Sequence, residues 1–153
     1  MKKIFVLVLV MVVLSLTLSA CGSRDPIDAA RFRAVMEEAG YEVVDATDME
    51  GVALLRDEVY YVLLAIGDGY QFEFYEFIDT REAVQMYNIL QDLIESWRGG
   101  ASSDRSVNMP NHSMFELTSA GIFSRVERVG NSVIFVTTDA EHRDAIREVL
   151  SRF

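Results

Sequence analysis

The chain has 153 residues, a length that suits one domain, and half of them are apolar, enough for a single core. With 24 acidic and 14 basic residues its formal charge is −10, which disfavours nucleic acid and repels anionic lipid surfaces. The one cysteine, Cys21, leaves no intrachain disulfide.

The first twenty residues differ from the rest. Met1-Lys2-Lys3 is a short positive segment, Ile4 to Leu14 is an unbroken apolar run, and Ser15 to Ala20 turns small and more polar. That order is the grammar of a secretory signal peptide. The apolar stretch to Leu18 is only about fifteen residues, short of the ~20 needed to span a bilayer as a retained helix.

Leu18-Ser19-Ala20-Cys21 closes the segment and resembles the bacterial lipobox. In that motif a branched apolar residue and two small ones precede an obligatory cysteine. The resemblance implies that residues 1–20 are removed and that Cys21 is the lipid attachment site. Its thiol would carry a diacylglyceryl thioether, and its new N-terminus a palmitate-type chain. It also implies a cell-membrane location on the extracytoplasmic side, with 21–24 as a lipidated tether and 25–153 as one domain. Loss of Lys2 and Lys3 leaves 12 arginines against 24 acids, a formal −12. Attachment must then come from the acyl chains, and two chains bind stably where one does not.

In the mature chain, Asp25 reads as a helix N-cap with Pro26 at the first helical position, and Gly40 as the helix end, with Phe32, Val35, Met36 and Ala39 at helical spacing. Tyr41–Val44 is a short strand. Thr47-Asp48-Met49-Glu50 has capping-box spacing. Val59–Ile66, the turn Gly67-Asp68-Gly69 and Tyr70–Ile78 form a hairpin. Asp79-Thr80-Arg81-Glu82 opens a helix with Ala83, Met86, Tyr87, Leu90, Ile94 and Trp97 on its apolar face, ended by Gly99-Gly100. Residues 99–113 read as one long irregular stretch, with a further strand at Met114–Thr118. Ile122–Val129, the turn Gly130-Asn131 and Ser132–Thr137 form a second hairpin, and Thr138…Glu141 caps a last helix.

These elements predict an α+β fold: a single antiparallel sheet of five or six strands with its helices packed on one face. Laying Asp79…Glu82 over Thr138…Glu141 suggests two degenerate strand–turn–strand–helix repeats about a pseudo-twofold axis. Any α+β chain can show hairpins followed by helices, so the repeat stays one of two readings.

No catalytic constellation stands out. His112, expected in a loop, and His142, expected near the start of the last helix, lack a serine–acid pattern. Asp45, Asp48 and Glu50 lack calcium-loop spacing, so no metal and no cofactor are expected. Alternation along the hairpins suggests an open polar–aromatic sheet face of Tyr61, Glu73, Tyr75, Arg125 and Glu127. That face could take an envelope protein, a peptide or a glycan, or be a plain solvated surface with cross-strand ion pairs. The acidic domain after a lipobox is similar to many small bacterial lipoproteins, a likeness that carries no substrate. The expected function is a non-catalytic binding or interaction module of the cell envelope. The alternatives are a tethered hydrolase using carboxylates such as Glu73 or Glu127, or a purely structural envelope component.

Overall fold

The architecture comes from a computed structural model, which describes residues 24–55, 57–67 and 69–153. In chain order the elements are α1 (Ala29–Glu38), β1 (Glu42–Asp45), a 3-10 turn (Glu50–Leu55), β2 (Val59–Ile66), β3 (Gln71–Phe77) and α2 (Thr80–Ser96). Then follow β4 (Ser102–Met109), β5 (His112–Ser119), β6 (Ile122–Val129), β7 (Ser132–Asp139), a 3-10 turn (Ala140–His142) and α3 (Arg143–Leu150). Every strand pairing is antiparallel, in one seven-stranded sheet of order β1-β2-β3-β7-β6-β5-β4.

Two meanders make this sheet. The first, β1 to β3, is laid down from one edge inward. Helix α2 then carries the chain to the far edge, and β4 to β7 work back until β7 pairs with β3, with Phe74 opposite Ile134. Strand alternation therefore gives each half two coherent faces.

The first face presents Leu63, Ala65, Phe72, Phe74, Phe123, Ile134 and Val136, covered by Phe32 and Met36 of α1 and by Ile146, Val149 and Leu150 of α3. Phe32 stacks on Phe74 with ring centroids 4.5 Å apart. The second face presents Val62, Phe77, Phe115, Leu117, Val126, Val133 and Phe135, covered by Ala83, Tyr87, Leu90 and Ile94 of α2. The α+β single-sheet class is as expected, but the strand number is seven and the helices occupy both faces.

The extra strand is β4. Its sequence, Ser102 to Met109, has no apolar alternation because it is an edge whose side chains are almost all exposed. Backbone pairing to β5, from Ser102 opposite Ser119 to Met109 opposite His112, makes it a strand. Charged Asp104 and Arg105 on that edge discourage further strand addition.

The helix starts also shift. Asp28, not Asp25, caps α1 by accepting from Arg31 N at 2.7 Å. Gly40 follows the end of α1 with φ +91°, a conformation that suits glycine. Thr47 forms no capping box: its hydroxyl accepts from Val62 N at 3.0 Å and so ties the loop to β2. Asp79 does cap α2.

The two hairpins are neighbours in the sheet, but the helices that follow them are not related in the same way. β2–β3 and β7–β6 lie side by side through the β3–β7 pairing, as a twofold axis normal to the sheet would place them. Such an axis keeps faces, yet α2 covers the second face and α3 the first. Thr138 lies within β7, and no side chain caps the 3-10 turn or α3.

Phe74 is fully buried between α1 and the sheet. Phe74→Ala is expected to cost about 3–5 kcal/mol, read as a lowered midpoint of urea unfolding with an unchanged slope.

Candidate functional site

On β5 and β6 the side chains that share the first face are His112, Met114 and Glu116, and Phe123, Arg125, Glu127 and Val129. Register sets Glu116 opposite Arg125 and Met114 opposite Glu127. Glu116 and Glu127 are each 2% exposed, so both carboxylates need partners.

The partners converge from four parts of the chain. Glu127 Oε2 accepts from Arg125 Nη2, and its Oε1 accepts from Arg24 Nη1 and from His112 Nε2, the last at 2.8 Å. Glu116 Oε2 accepts from Arg125 Nη1 at 3.2 Å and from Arg147 Nε at 3.0 Å, while its Oε1 accepts from Arg147 Nη2 at 3.2 Å. Arg147 of α3 also lies over the Phe123 ring, 5.7 Å from its centroid. The hydrogen bonds to Glu116 raise the Arg147 pKa. Arg125 thus bridges two buried acids, and its Nε is buried without an acceptor among the described residues.

The network also docks the chain ahead of α1. Arg24 is held twice, by Glu127 and through its carbonyl, which accepts from Asn111 Nδ2 at 3.1 Å. Asn111 lies in the β4–β5 turn, and its carbonyl accepts from Gly130 N in the β6–β7 turn at 2.8 Å. One end of the sheet therefore grips the segment that follows Cys21. Residues 1–20, Cys21 and the central residue of the Gly67-Asp68-Gly69 turn lie outside the described residues.

The five residues expected on one open face are divided. Arg125 and Glu127 meet, but in the interior rather than in solvent. Tyr61 is exposed on β2, beside a cleft of about 450 Å³ with Asp28, Arg33, Asp45 and Glu76, two strands beyond β7. Glu73 and Tyr75 point to the second face, where Tyr75 Oη donates to Glu73 Oε2 at 2.5 Å. Alternation gives the parity within a strand; it does not give the parity of one strand against the next, which the β3–β7 register fixes with Glu73 opposite Phe135. Glu73 and Glu127 consequently leave opposite faces of the sheet and cannot flank one scissile bond.

His112 is a correction as well: it begins β5 and is 8% exposed. His142 packs against Tyr70, with ring centroids 5.0 Å apart. Arg24, Glu116 and Arg147 escaped the sequence reading, and His112 was read only as a loop residue. Arg125 and Glu127 carried a usable signal, since they share parity with Phe123 and Val129, which are both core residues.

Among the described residues no group of three or more His, Cys, Asp or Glu could hold a metal ion, and no helix is long and apolar enough to cross a membrane. Searches against protein families, curated proteins and solved structures gave no match.

Removing the central cation would take a partner from each of two buried acids. Arg125→Ala is expected to destabilise by about 3–5 kcal/mol, measured by denaturant unfolding. Burial, reinforced by Glu73, raises the Tyr75 pKa, and burial likewise raises that of Tyr41. Their contribution is complete below the ordinary tyrosine value of about 10 and is lost as pH rises through the higher folded values. Unfolding free energy should therefore decline above about pH 10, and less steeply in Tyr75→Phe.

Proposed function

We propose that the chain is a lipoprotein of the bacterial cell envelope, anchored through Cys21 on the extracytoplasmic side, whose domain binds rather than transforms a partner. The anchor reading rests on Leu18-Ser19-Ala20-Cys21 after a charged and an apolar segment. The observation that carries the reading into three dimensions is the grip of Glu127 and Asn111 on Arg24, three residues after Cys21.

Covalent reach limits three residues to about 11 Å. A lipid on Cys21 would thus bring the β4–β5 and β6–β7 turns close to the bilayer, with no stalk between. The chain's charge is formally −12 after loss of the first twenty residues, so acyl chains rather than surface electrostatics would hold it there. The binding reading is supported by the use of Arg125, Glu127 and His112 as interior structure. The network's two acids, Glu116 and Glu127, are both buried and bound to arginines.

Metabolic labelling with a palmitate analogue tests the anchor. The wild-type chain should be labelled, membrane-bound and begin at Cys21, whereas Cys21→Ser should be unlabelled and keep residues 1–20. Recovery of unlabelled wild-type chain in the soluble fraction with Met1 retained would refute the reading.

A further inference from the structure

Arg128 stands apart from the ionic network. It projects from β6 to the second face, is 3% exposed, and forms no ion pair among the described residues. A guanidinium has five N–H donors. Three go to neutral acceptors: the Gly130 carbonyl at 3.0 Å, the Pro110 carbonyl at 3.2 Å and Ser113 Oγ at 3.3 Å. The other two meet no acceptor among the described residues. Burial lowers the pKa of this guanidinium, yet arginine stays charged in proteins, so a buried cation is left without a counter-charge.

Arg128 lines a cleft of about 550 Å³ between α2 and the β4–β5 edge. Asn88 and Gln91 of α2, with Ser106 and Asn108 of β4, add neutral hydrogen-bonding groups. Val84 and Tyr87 of α2 add apolar wall. No lining residue is acidic, although the chain carries 24 acids. A buried, fixed cation without its own carboxylate, ringed by neutral donors, is the arrangement an oxyanion completes.

We propose that this cleft binds the oxyanion group of a small molecule with an apolar part, Arg128 supplying the charge and Asn88, Gln91 and Ser106 the surrounding hydrogen bonds. This deepens the binding reading of the domain and is independent of the anchor. The chain's net charge repels an extended anionic surface, while a single group seated against a buried cation is little affected by that distant field. Pro110, which holds Arg128, adjoins Asn111, which holds Arg24, so the cleft lies at the tethered end of the sheet. A phospholipid phosphate and a free solute anion are the two sources of this chemistry.

The test is a titration of the full chain in a nonionic detergent with inorganic phosphate and, separately, with soluble dihexanoyl phosphatidate, following the Gln91 and Asn108 amide resonances. Saturable shifts are expected. They should weaken at least about tenfold in Ser106→Asp, which puts a carboxylate into the cleft from an exposed position, and vanish in Arg128→Gln. Equal affinity for both probes would identify a free anion; phosphatidate binding about tenfold tighter would identify a lipid headgroup. No saturable shift with either probe up to about 10 mM, or undiminished affinity in Ser106→Asp, would overturn the proposal. Should Arg128→Gln fail to fold, Ser106→Asp decides alone. Labelling of Cys21 is read separately, so failure of the cleft and failure of the anchor remain distinct.

Discussion

A single carboxylate, Glu127, draws donors from three separate parts of the chain. It sits on an interior strand at 2% exposure and takes donors from Arg24, His112 and Arg125. Each of its three partners offsets part of the cost of desolvating that charge. Through Arg125 the constraint extends to Glu116, and through Glu116 to Arg147 of α3. The residues ahead of the first helix and the residues of the last helix are thereby fixed on one patch of the sheet.

The sheet can offer that patch because of how its two meanders meet. β3 and β7 pair in the middle, and α2 crosses the second face to start the second meander at the far edge. That crossover leaves the first face to α1 and α3. The same path sets the two faces to different work. The first holds the ionic network; the second, beside α2 and the β4–β5 edge, holds Arg128, which forms no ion pair among the described residues.

Much of the fold was legible in the chain. The hairpins at Val59–Phe77 and Ile122–Asp139 followed from β-forming runs around glycine turns, and the Asp79 cap from its spacing before an apolar helix face. β4 was not, because an exposed edge strand of Ser, Asp, Arg and Asn has no burial pattern to read and is defined by its backbone partner. Nor was the side on which each helix packs, since hydrophobic periodicity shows that a helix has a buried face without showing which face of the sheet receives it. The site suffered most. Tyr61, Glu73 and Tyr75 fell away from Arg125 and Glu127 because the relation between hairpins depends on a long-range register. His112 read as a loop residue, since the strand that contains it begins directly after Pro110-Asn111.

If Glu127 and Asn111 hold the segment next to a lipidated Cys21, the sheet stands on end with those turns toward the bilayer. Trp97, the only tryptophan, then reports on the far end. Gly99, two residues beyond it, donates to Ser119 Oγ at 2.7 Å. Ser119 ends β5, the eight-residue strand that starts beside Asn111, roughly 24 Å away along the strand. The direct measurement is quenching of Trp97 fluorescence by spin-labelled phospholipids in vesicles carrying the lipidated protein. Emission should be nearly unaffected by labels at any depth, and should remain so until Glu127→Gln releases the segment. Strong quenching of the wild-type protein by headgroup-level labels would contradict the account, because it would put the Ser119 end of the sheet at the membrane.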